Sequence, residues 1–206
     1  MKRHVVIKLL VLSSLLVLLF ACSSKPVYIE KVVVAEPIIE VTPVIKGAPE
    51  WVNKGSHFAM AKEARLFWGV SSATPQGDLA LQKALADDNA RAEVARIFAK
   101  YMTALSRDYA NSLKVSGAIV ADEYDLQALQ KVEKESLLGI RIIGSWRDQK
   151  SSSIWSIAEL DLKQVKLIAA GMSDINAVLK QYIETMADAQ FERIDRERHR
   201  ERAASD

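Results

Sequence analysis

The residue types that most often carry covalent or metal chemistry are scarce in this sequence and far apart. The 206 residues include one cysteine, Cys22, and three histidines, His4, His57 and His199. Metal sites need several such ligands, and a nucleophilic side chain needs a base beside it. Ser151–Ser153 has no histidine nearby, and neither a glycine-rich phosphate loop nor a Gly-x-Ser-x-Gly string occurs. The sequence therefore predicts a protein that is not an enzyme, with no catalytic, cofactor-binding or metal-binding residues.

Cys22 lies directly after a stretch with the features of an export signal. Basic residues near the N-terminus precede the apolar run Leu9–Phe20. At about 12 residues this run has the length of a signal core, whereas a membrane-spanning helix needs roughly 20. The string Leu19-Phe20-Ala21-Cys22 resembles the lipobox of bacterial lipoprotein precursors, with Phe20 a departure from the usual small or aliphatic residue. The resemblance implies that residues 1–21 are a cleaved signal peptide and that Cys22 is lipidated.

The lipid would hold the mature chain at a membrane. In such precursors the cysteine receives diacylglycerol and its new amine receives an acyl chain, for example palmitate; two or more chains anchor stably. By resemblance to enterobacterial lipoproteins, Ser23-Ser24 in place of Asp favours the outer membrane. The domain is expected to face the periplasm, with surface exposure as the other orientation. The alternative is an uncleaved N-terminal anchor helix.

The charge balance gives no sign of a nucleic-acid partner. Removing the signal takes three of the 28 basic residues, which leaves 25 against 26 acidic ones. A near-neutral chain has no overall basic field of the kind that recruits nucleic acid. The remaining length fits one ordinary domain with a sizeable core.

Residues 22–50 are predicted to be a lipidated tether. Four of the five prolines fall here, and prolines break helices and central strands. Unlike a typical disordered linker, the segment is rich in valine and isoleucine. It is either an extended spacer along its own domain or the membrane surface, or a strand that adds to a neighbouring sheet edge.

Residues 51–190 have the pattern of an α+β domain. A strand is predicted at Leu66–Ser71, followed by a turn in which Asp78 fits a helix N-cap. A long helix is predicted from Leu79 to about Leu105. Its stripe at helical spacing is expected to face a sheet and comprises Leu81, Leu85, Ala92, Ala95, Ala99 and Met102. Asp88 falls inside this stripe, so we expect it to be a buried hydrogen-bonding residue.

The second half of the domain is predicted to supply a hairpin. Residues 106–122 are weakly patterned and fit a loop with helical pieces, and a helix follows at Tyr124–Glu135. Period-two alternation then predicts strands at 138–147 and 154–162, joined by a polar turn. Trp68, Trp146 and Trp155 lie in apolar strand patterns and are expected to be mainly packing residues.

A last helix is predicted from Leu162 past Phe191. Apolar residues step by three and four through Val165, Ile168, Met172, Ile175, Leu179, Tyr182, Met186 and Ala189. The flanking positions carry no charges to select a coiled-coil partner, and Val178 and Ile183 widen the stripe. This favours a helix on the protein's own sheet over a coiled-coil seam. Residues 191–206 hold five arginines and five acids, which is typical of a solvated helix extension.

Several strings together resemble the LPP-twenty family of small outer-membrane lipoproteins. They are Ala48–Val52, Phe67–Ser71, Asp88–Ala95, Ile143–Trp146 and Trp155–Ala158. The resemblance covers roughly residues 48–170; Gly69-Val70-Ser71-Ser72 departs from the family's Gly-x-Gly-like turn. It implies a long helix packed on a short antiparallel sheet, with helix–sheet packing through Ala84, Ala90, Ala92 and Ala95. Related domains serve as assembly pieces in flagellar lipoproteins and flagellar-ring proteins, and no catalytic activity is implied.

Two functions are consistent with these features. The first is an outer-membrane-anchored periplasmic lipoprotein with a structural or assembly role in an envelope or flagellar-associated complex. The second is a tethered adaptor that reaches through peptidoglycan to activate a cell-wall synthesis enzyme. Both imply a membrane contact through the lipid and a protein partner or self-association, without nucleic acid or a small-molecule substrate.

Overall fold

A three-stranded antiparallel sheet organises the part of the chain that the computed structural model describes, which is residues 44–57, 64–115 and 123–204. The strands are β1 (Leu66–Ala73), β2 (Arg141–Arg147) and β3 (Ile154–Asp161), in the order β1-β3-β2. The helices are α1 (Glu50–Lys54), α2 (Leu79–Val115), α3 (Glu123–Leu137), α4 (Leu162–Gly171) and α5 (Ala177–Ala203). A 3₁₀ turn, Gly55–His57, follows α1. The predicted fold class, an α+β domain with a long helix and a C-terminal helix, is confirmed.

β3 is the central strand, which explains why the simple alternation predicted for it is incomplete. Alternation places Ile157 on the same face as Glu159, yet Ile157 is buried, because it is flanked by Val70 of β1 and Gly144 of β2. The predicted hairpin between β2 and β3 is confirmed, with Trp146 opposite Trp155. β2 begins later than predicted: Leu138 lies in the preceding turn and is exposed. The register shifts between Ile142 and Gly144, so Ile143 forms a bulge.

α2 begins as predicted but packs through a different face. Asp78 caps it by accepting from Ala80 N–H at 2.7 Å. The buried side of the helix comprises Ala86, Ala90, Val94, Ile97, Phe98, Tyr101, Leu105 and Tyr109. Leu81, Leu85 and Ala92 are exposed, Ala95 and Ala99 are partly buried, and only Met102 of the predicted stripe is in the core. The predicted stripe is therefore wrong along most of its length.

Polar residues on the sheet-facing side of α2 explain this error. Gln82 is buried there, and its Nε2 donates to the carbonyls of Ala73 and Ser152, each at 2.9 Å. The spacing of apolar residues alone does not indicate a buried face that includes a glutamine. Four alanines were expected to pack against the sheet. Of these, Ala90 is buried, Ala95 is partly buried, and Ala84 and Ala92 are exposed.

α2 also runs further than predicted. The segment after Leu105, expected to be a loop with helical pieces, continues the helix to Val115. Tyr109 on this extension is fully buried and its ring lies 5.1 Å from that of Tyr182. Tertiary packing thus outweighs the weak local pattern. Residues 116–122 lie outside the described part of the chain.

The single C-terminal helix of the prediction is in fact two helices. Asp161 caps α4 by accepting from Lys163 N–H, and α4 ends at Gly171. Asn176 then caps α5, its Oδ1 accepting from Leu179 N–H at 2.8 Å. The helix is therefore interrupted at residues 172–176, where the Met172 N–H bonds the Ile168 carbonyl and Asn176 caps the next helix.

The intramolecular packing predicted for this region is confirmed, although α5 contacts mainly α2 and α4 instead of the sheet. Ile175, Leu179 and Ile183 are buried, whereas Val178 and Met186 are exposed. The charged segment after Phe191 continues α5 as a helix. Some of its side chains, including Arg193 and Arg198, are partly buried.

Candidate functional site

Cys22, the one site residue that the sequence predicts, lies outside the described residues, as do the signal peptide and the tether up to Pro43. In the described ranges no group of three or more His, Cys, Asp and Glu side chains could hold a metal ion. No described helix is both long enough and apolar enough to cross a membrane.

The two faces of the sheet differ in what covers them. On one face α2 approaches β1 so closely that a Cβ on Gly69 would stand 2.3 Å from the Ala90 carbonyl oxygen. Residues paired directly across two strands lie on the same face, and so do alternate residues of one strand. The face opposite α2 therefore carries Trp68, Trp146, Trp155 and Ile157. Trp68 and Ile157 are buried but belong to neither hydrophobic cluster under α2. The sheet therefore has a second, tryptophan-rich apolar face.

Residues 44–57 reach the outer edge of β1 through the 3₁₀ turn Gly55–His57. Val70 N–H donates to Ser56 Oγ at 3.0 Å on the outer edge of the strand. Val52 in α1 is buried, and Ile45 N–H donates to Asn53 Oδ1 at 2.8 Å. The end of the predicted tether is thus fixed to the domain from Ile45 onward.

The tryptophans mostly act as the sequence predicts. Trp68 is 6% exposed, which confirms its packing role. Trp146 on the edge strand β2 and Trp155 on the central strand β3 are paired directly across the two strands, and both are only partly buried. The Nε1 atom of Trp155 is buried and has no hydrogen-bond partner in the described structure.

A partly buried polar connection joins α2 to the centre of the sheet. Ser156, fully buried on β3, donates to Asp87 Oδ1 at 2.6 Å, and Lys83 Nζ donates to Asp87 Oδ2 at 2.6 Å. Burial by itself raises the pKa of Asp87, but the hydrogen bonds from Lys83 and Ser156 outweigh it and leave the pKa below its usual range. Asp87 therefore has the structural role that the sequence assigned to Asp88. The assignment to Asp88 is wrong: that side chain is 72% exposed and pairs with Arg91.

A second polar cluster, which the sequence did not reveal, lies where α2, α3 and the start of α5 meet. Asp125 is buried in the first turn of α3 and accepts from Tyr109 Oη at 2.9 Å and from Asn176 Nδ2. Asn176 also caps α5. The cluster joins three helices and leaves its carboxylate enclosed, which is typical of a structural network. Residues this far apart in sequence give no local signal of their meeting.

A groove of about 640 Å³ runs between α2 and α5. Its apolar lining includes Ile97, Ala99, Ala104 and Ile194. Its charged lining consists of Glu93, Arg96, Lys100, Arg107, Glu197, Arg198 and Glu201. Both signs of charge are present, so the groove has no single-sign field that would select a strongly charged ligand.

The charged C-terminal part of α5 forms one wall of this groove. Arg193 Nη2 donates to Asp108 Oδ2 at 2.6 Å, and Arg198 Nη2 donates to the Ser56 carbonyl at 2.8 Å. Burial lowers the pKa of Arg198, while Asp195 and Glu93 act in the opposite direction. Residues 191–203 are helical, and Arg193 and Arg198 connect them to α2 and to the segment before β1.

The outward side of α2 next to the groove is a second exposed apolar surface. Six residues on this side step along the helix by four and three residues. They form the solvent-facing stripe, which comprises Leu81, Leu85, Asp88, Ala92, Ala95 and Ala99. Leu81 is 51% exposed and Leu85 is 37% exposed. Ala92 is exposed as well, whereas Ala95 and Ala99 are partly buried and Ala99 lines the groove.

No family model matches the chain, and no curated protein matches it. The resemblance to the LPP-twenty family thus stays a prediction from the quoted strings.

Proposed function

We propose that this protein is an outer-membrane-anchored periplasmic lipoprotein with a structural or assembly role in an envelope or flagellar-associated complex. One observation carries the proposal: the single cysteine of the chain, Cys22, ends the lipobox-like string that follows a 12-residue apolar run. A thiol at this position is explained by lipid attachment, and no other cysteine is available to pair with it. The LPP-twenty resemblance of residues 48–170 supports the assembly role.

The described domain is consistent with such a role. Its polar clusters at Asp87 and Asp125 hold elements together, and its accessible features are a groove and an exposed helix stripe. Surfaces of this kind suit contacts with other proteins. A domain that binds partners while a lipid holds it at the membrane can act as a fixed unit of a larger complex.

Substitution of Cys22 by serine tests the anchor. Cys22→Ser removes the thiol that would carry diacylglycerol, so labelling by a fatty-acid analogue should be lost and the protein should leave the membrane fraction. Ser23→Ala is the matched control, since it changes the adjacent residue and keeps the thiol. Unchanged labelling and fractionation of Cys22→Ser would rule out the lipoprotein assignment.

The second candidate function is a tethered adaptor that activates a cell-wall synthesis enzyme. It is favoured by the predicted tether: since the chain is fixed to the domain from Ile45 onward, about 21 residues from Ser23 to Pro43 are left, and they would reach up to about 75 Å if fully stretched. The groove between α2 and α5 could receive a segment of such an enzyme. An adaptor would be monomeric until it meets its target, whereas an assembly unit would self-associate. The mass of the detergent-extracted protein therefore separates the two functions.

A further inference from the structure

The solvent-facing stripe on α2 is the exposed surface with the clearest pattern in the described domain. Its two leucines lie toward the start of the helix and its three alanines further along, with Asp88 between them. The side chains repeat at the spacing by which one helix packs along another. The opposite side of α2 is already used by the sheet and by α5. A helix with two apolar sides can pack against a second partner without losing its first.

We propose that this stripe packs against the same stripe of a second copy, with the two α2 helices antiparallel. The proposal rests on the assembly role above and names its partner and contact. With the two-fold axis on the solvent side of α2, at the level of residue 90 along the helix, Leu81 of one copy lies opposite Ala99 of the other. Leu85 then lies opposite Ala95, and Asp88 opposite Ala92. Such a contact is self-complementary, as a two-fold dimer requires.

The distribution of side-chain size favours the antiparallel arrangement. Each of the two leucine positions then faces an alanine, so every leucine meets a small residue and the helix axes keep a nearly constant separation. In a parallel pair the leucines would face leucines and the alanines would face alanines. The helices would be forced apart at one end and leave gaps at the other, which reduces packing.

Charge favours the same arrangement. A parallel pair would place Asp88 opposite Asp88, and like charges at a helix contact repel. In the antiparallel register each Asp88 lies opposite Ala92 of the other copy, next to Arg91 of that copy. Asp88 and Arg91 already form a 2.9 Å ion pair within one helix, and both side chains are exposed. The same two residues can therefore exchange partners across the two-fold axis without a buried unpaired charge.

Mass measurement of the detergent-extracted full-length chain tests whether the contact exists. The wild type should be a dimer, and Leu81→Glu should weaken it roughly tenfold or more, because it removes the leucine that packs against Ala99 and puts a charged side chain in the apolar part of the contact. Leu167→Glu on α4 is the matched control, since Leu167 is 56% exposed and lies outside the stripe. A monomeric wild type, or an equal loss in both variants, would overturn the proposal. Circular dichroism checks that both variants remain folded.

Disulfide trapping tests the register. In a Cys22→Ser background, which removes the only native thiol, Leu85→Cys and Ala95→Cys chains with different tags are mixed and oxidised. The 85–95 link should form, and the 85–85 link should form more slowly. The reverse order would exclude the antiparallel register. Because this background also removes lipidation, trapping succeeds or fails independently of the anchor. Membrane fractionation of the same Cys22→Ser chain reports on the lipoprotein assignment separately.

Discussion

At the residue scale, Asp87 is the side chain that ties the long helix α2 to the sheet. One carboxylate oxygen accepts from the buried hydroxyl of Ser156 and the other from Lys83. A charge-assisted hydrogen bond of this kind contributes about 1.5–3 kcal/mol, more than a neutral one. The neighbouring Asp88 lies about 100° further round the helix, so it faces solvent.

The lowered pKa of Asp87 predicts a specific loss of stability in acid. Because its native pKa lies below the unfolded value of about 3.9, the native state binds fewer protons and the stabilisation is fully present above that value. It should be lost as the pH falls below about 4, through the native pKa. Urea unfolding from pH 7 to pH 2 should show that Asp87→Asn is less stable than the wild type at neutral pH and that the difference shrinks in acid.

Asp88→Asn is the matched control for this measurement, since it changes the adjacent carboxylate that pairs only on the surface. It should have little effect on stability at any pH, as exposed ion pairs contribute little. A difference between wild type and Asp87→Asn that stays constant down to pH 2 would contradict the assigned role of Asp87.

The sequence could indicate that a carboxylate takes part in packing α2, but not which one. Asp87 and Asp88 are adjacent, and which of the two faces the sheet depends on the rotation of the helix about its axis. That rotation is set by Gln82 and Asp87, which are hydrogen-bonded to the sheet side, and by the close approach of the helix backbone to Gly69 on β1; both of these helix residues are polar. A method that reads only apolar spacing selects the opposite side. Trp68, by contrast, was assigned correctly because a large aromatic residue in a strand is rarely left in water.

At the element scale, the contact between β1 and α2 determines how deep the helix lies. Gly69 lets the helix backbone come so close that an added Cβ would lie 2.3 Å from the Ala90 carbonyl oxygen and 2.6 Å from the Val94 nitrogen. Ala86 and Ala90 on the helix are fully buried at this approach. Small residues on both elements thus permit the close packing.

Gly69→Ala should destabilise the protein strongly. Overpacking of a tight contact costs about 1–3 kcal/mol, and here the obstacle is backbone, which cannot rotate away as a side chain can. Thermal or urea unfolding measures the loss. Gly171→Ala at the end of α4 is the control, because an added Cβ there meets nothing within 4 Å. It should be neutral, or stabilising by up to about 1 kcal/mol from helix propensity.

A second substitution tests whether the backbone or the side chain of Ala90 limits the approach of α2 to β1. Ala90→Gly removes a side chain and leaves the Ala90 carbonyl in place, so it should not restore the stability of Gly69→Ala. Full restoration would mean that the Ala90 side chain, and not the backbone, sets the distance between α2 and β1.

The elements themselves were largely predictable, and their ends were not. The strand at β1, the helix at α3 and the β2–β3 hairpin follow from local alternation and turn residues. The break between α4 and α5 was missed because Met172 and Ile175 continue the three-and-four stepping through a non-helical segment. Asn176 was the available signal, since asparagine is a frequent N-cap. The extension of α2 to Val115 depends on Tyr109 meeting Asp125 and Tyr182, a contact that no local pattern encodes.

At the scale of the whole molecule, two segments could supply an assembly contact. One is the valine- and isoleucine-rich tether, which could add as a strand to a sheet edge. The other is the solvent-facing stripe on α2. The two differ in position and in chemistry, because strand addition uses main-chain hydrogen bonds and the stripe uses side-chain packing. They can therefore be altered separately.

Replacement of Val32–Pro43 by a Gly/Ser segment of equal length separates these contacts. The replacement stops before Val44 and Ile45, because Ile45 is hydrogen-bonded to Asn53 and its loss would disturb the domain itself. A Gly/Ser chain preserves length but cannot offer alternate branched side chains to a neighbouring strand. If the α2 contact holds the copies together, the replaced protein should remain dimeric, and adding Leu81→Glu should make it monomeric. Light scattering of the detergent-extracted proteins measures both. A monomer on tether replacement alone would place the assembly contact in the tether, and it would leave the α2 stripe as an ordinary exposed surface.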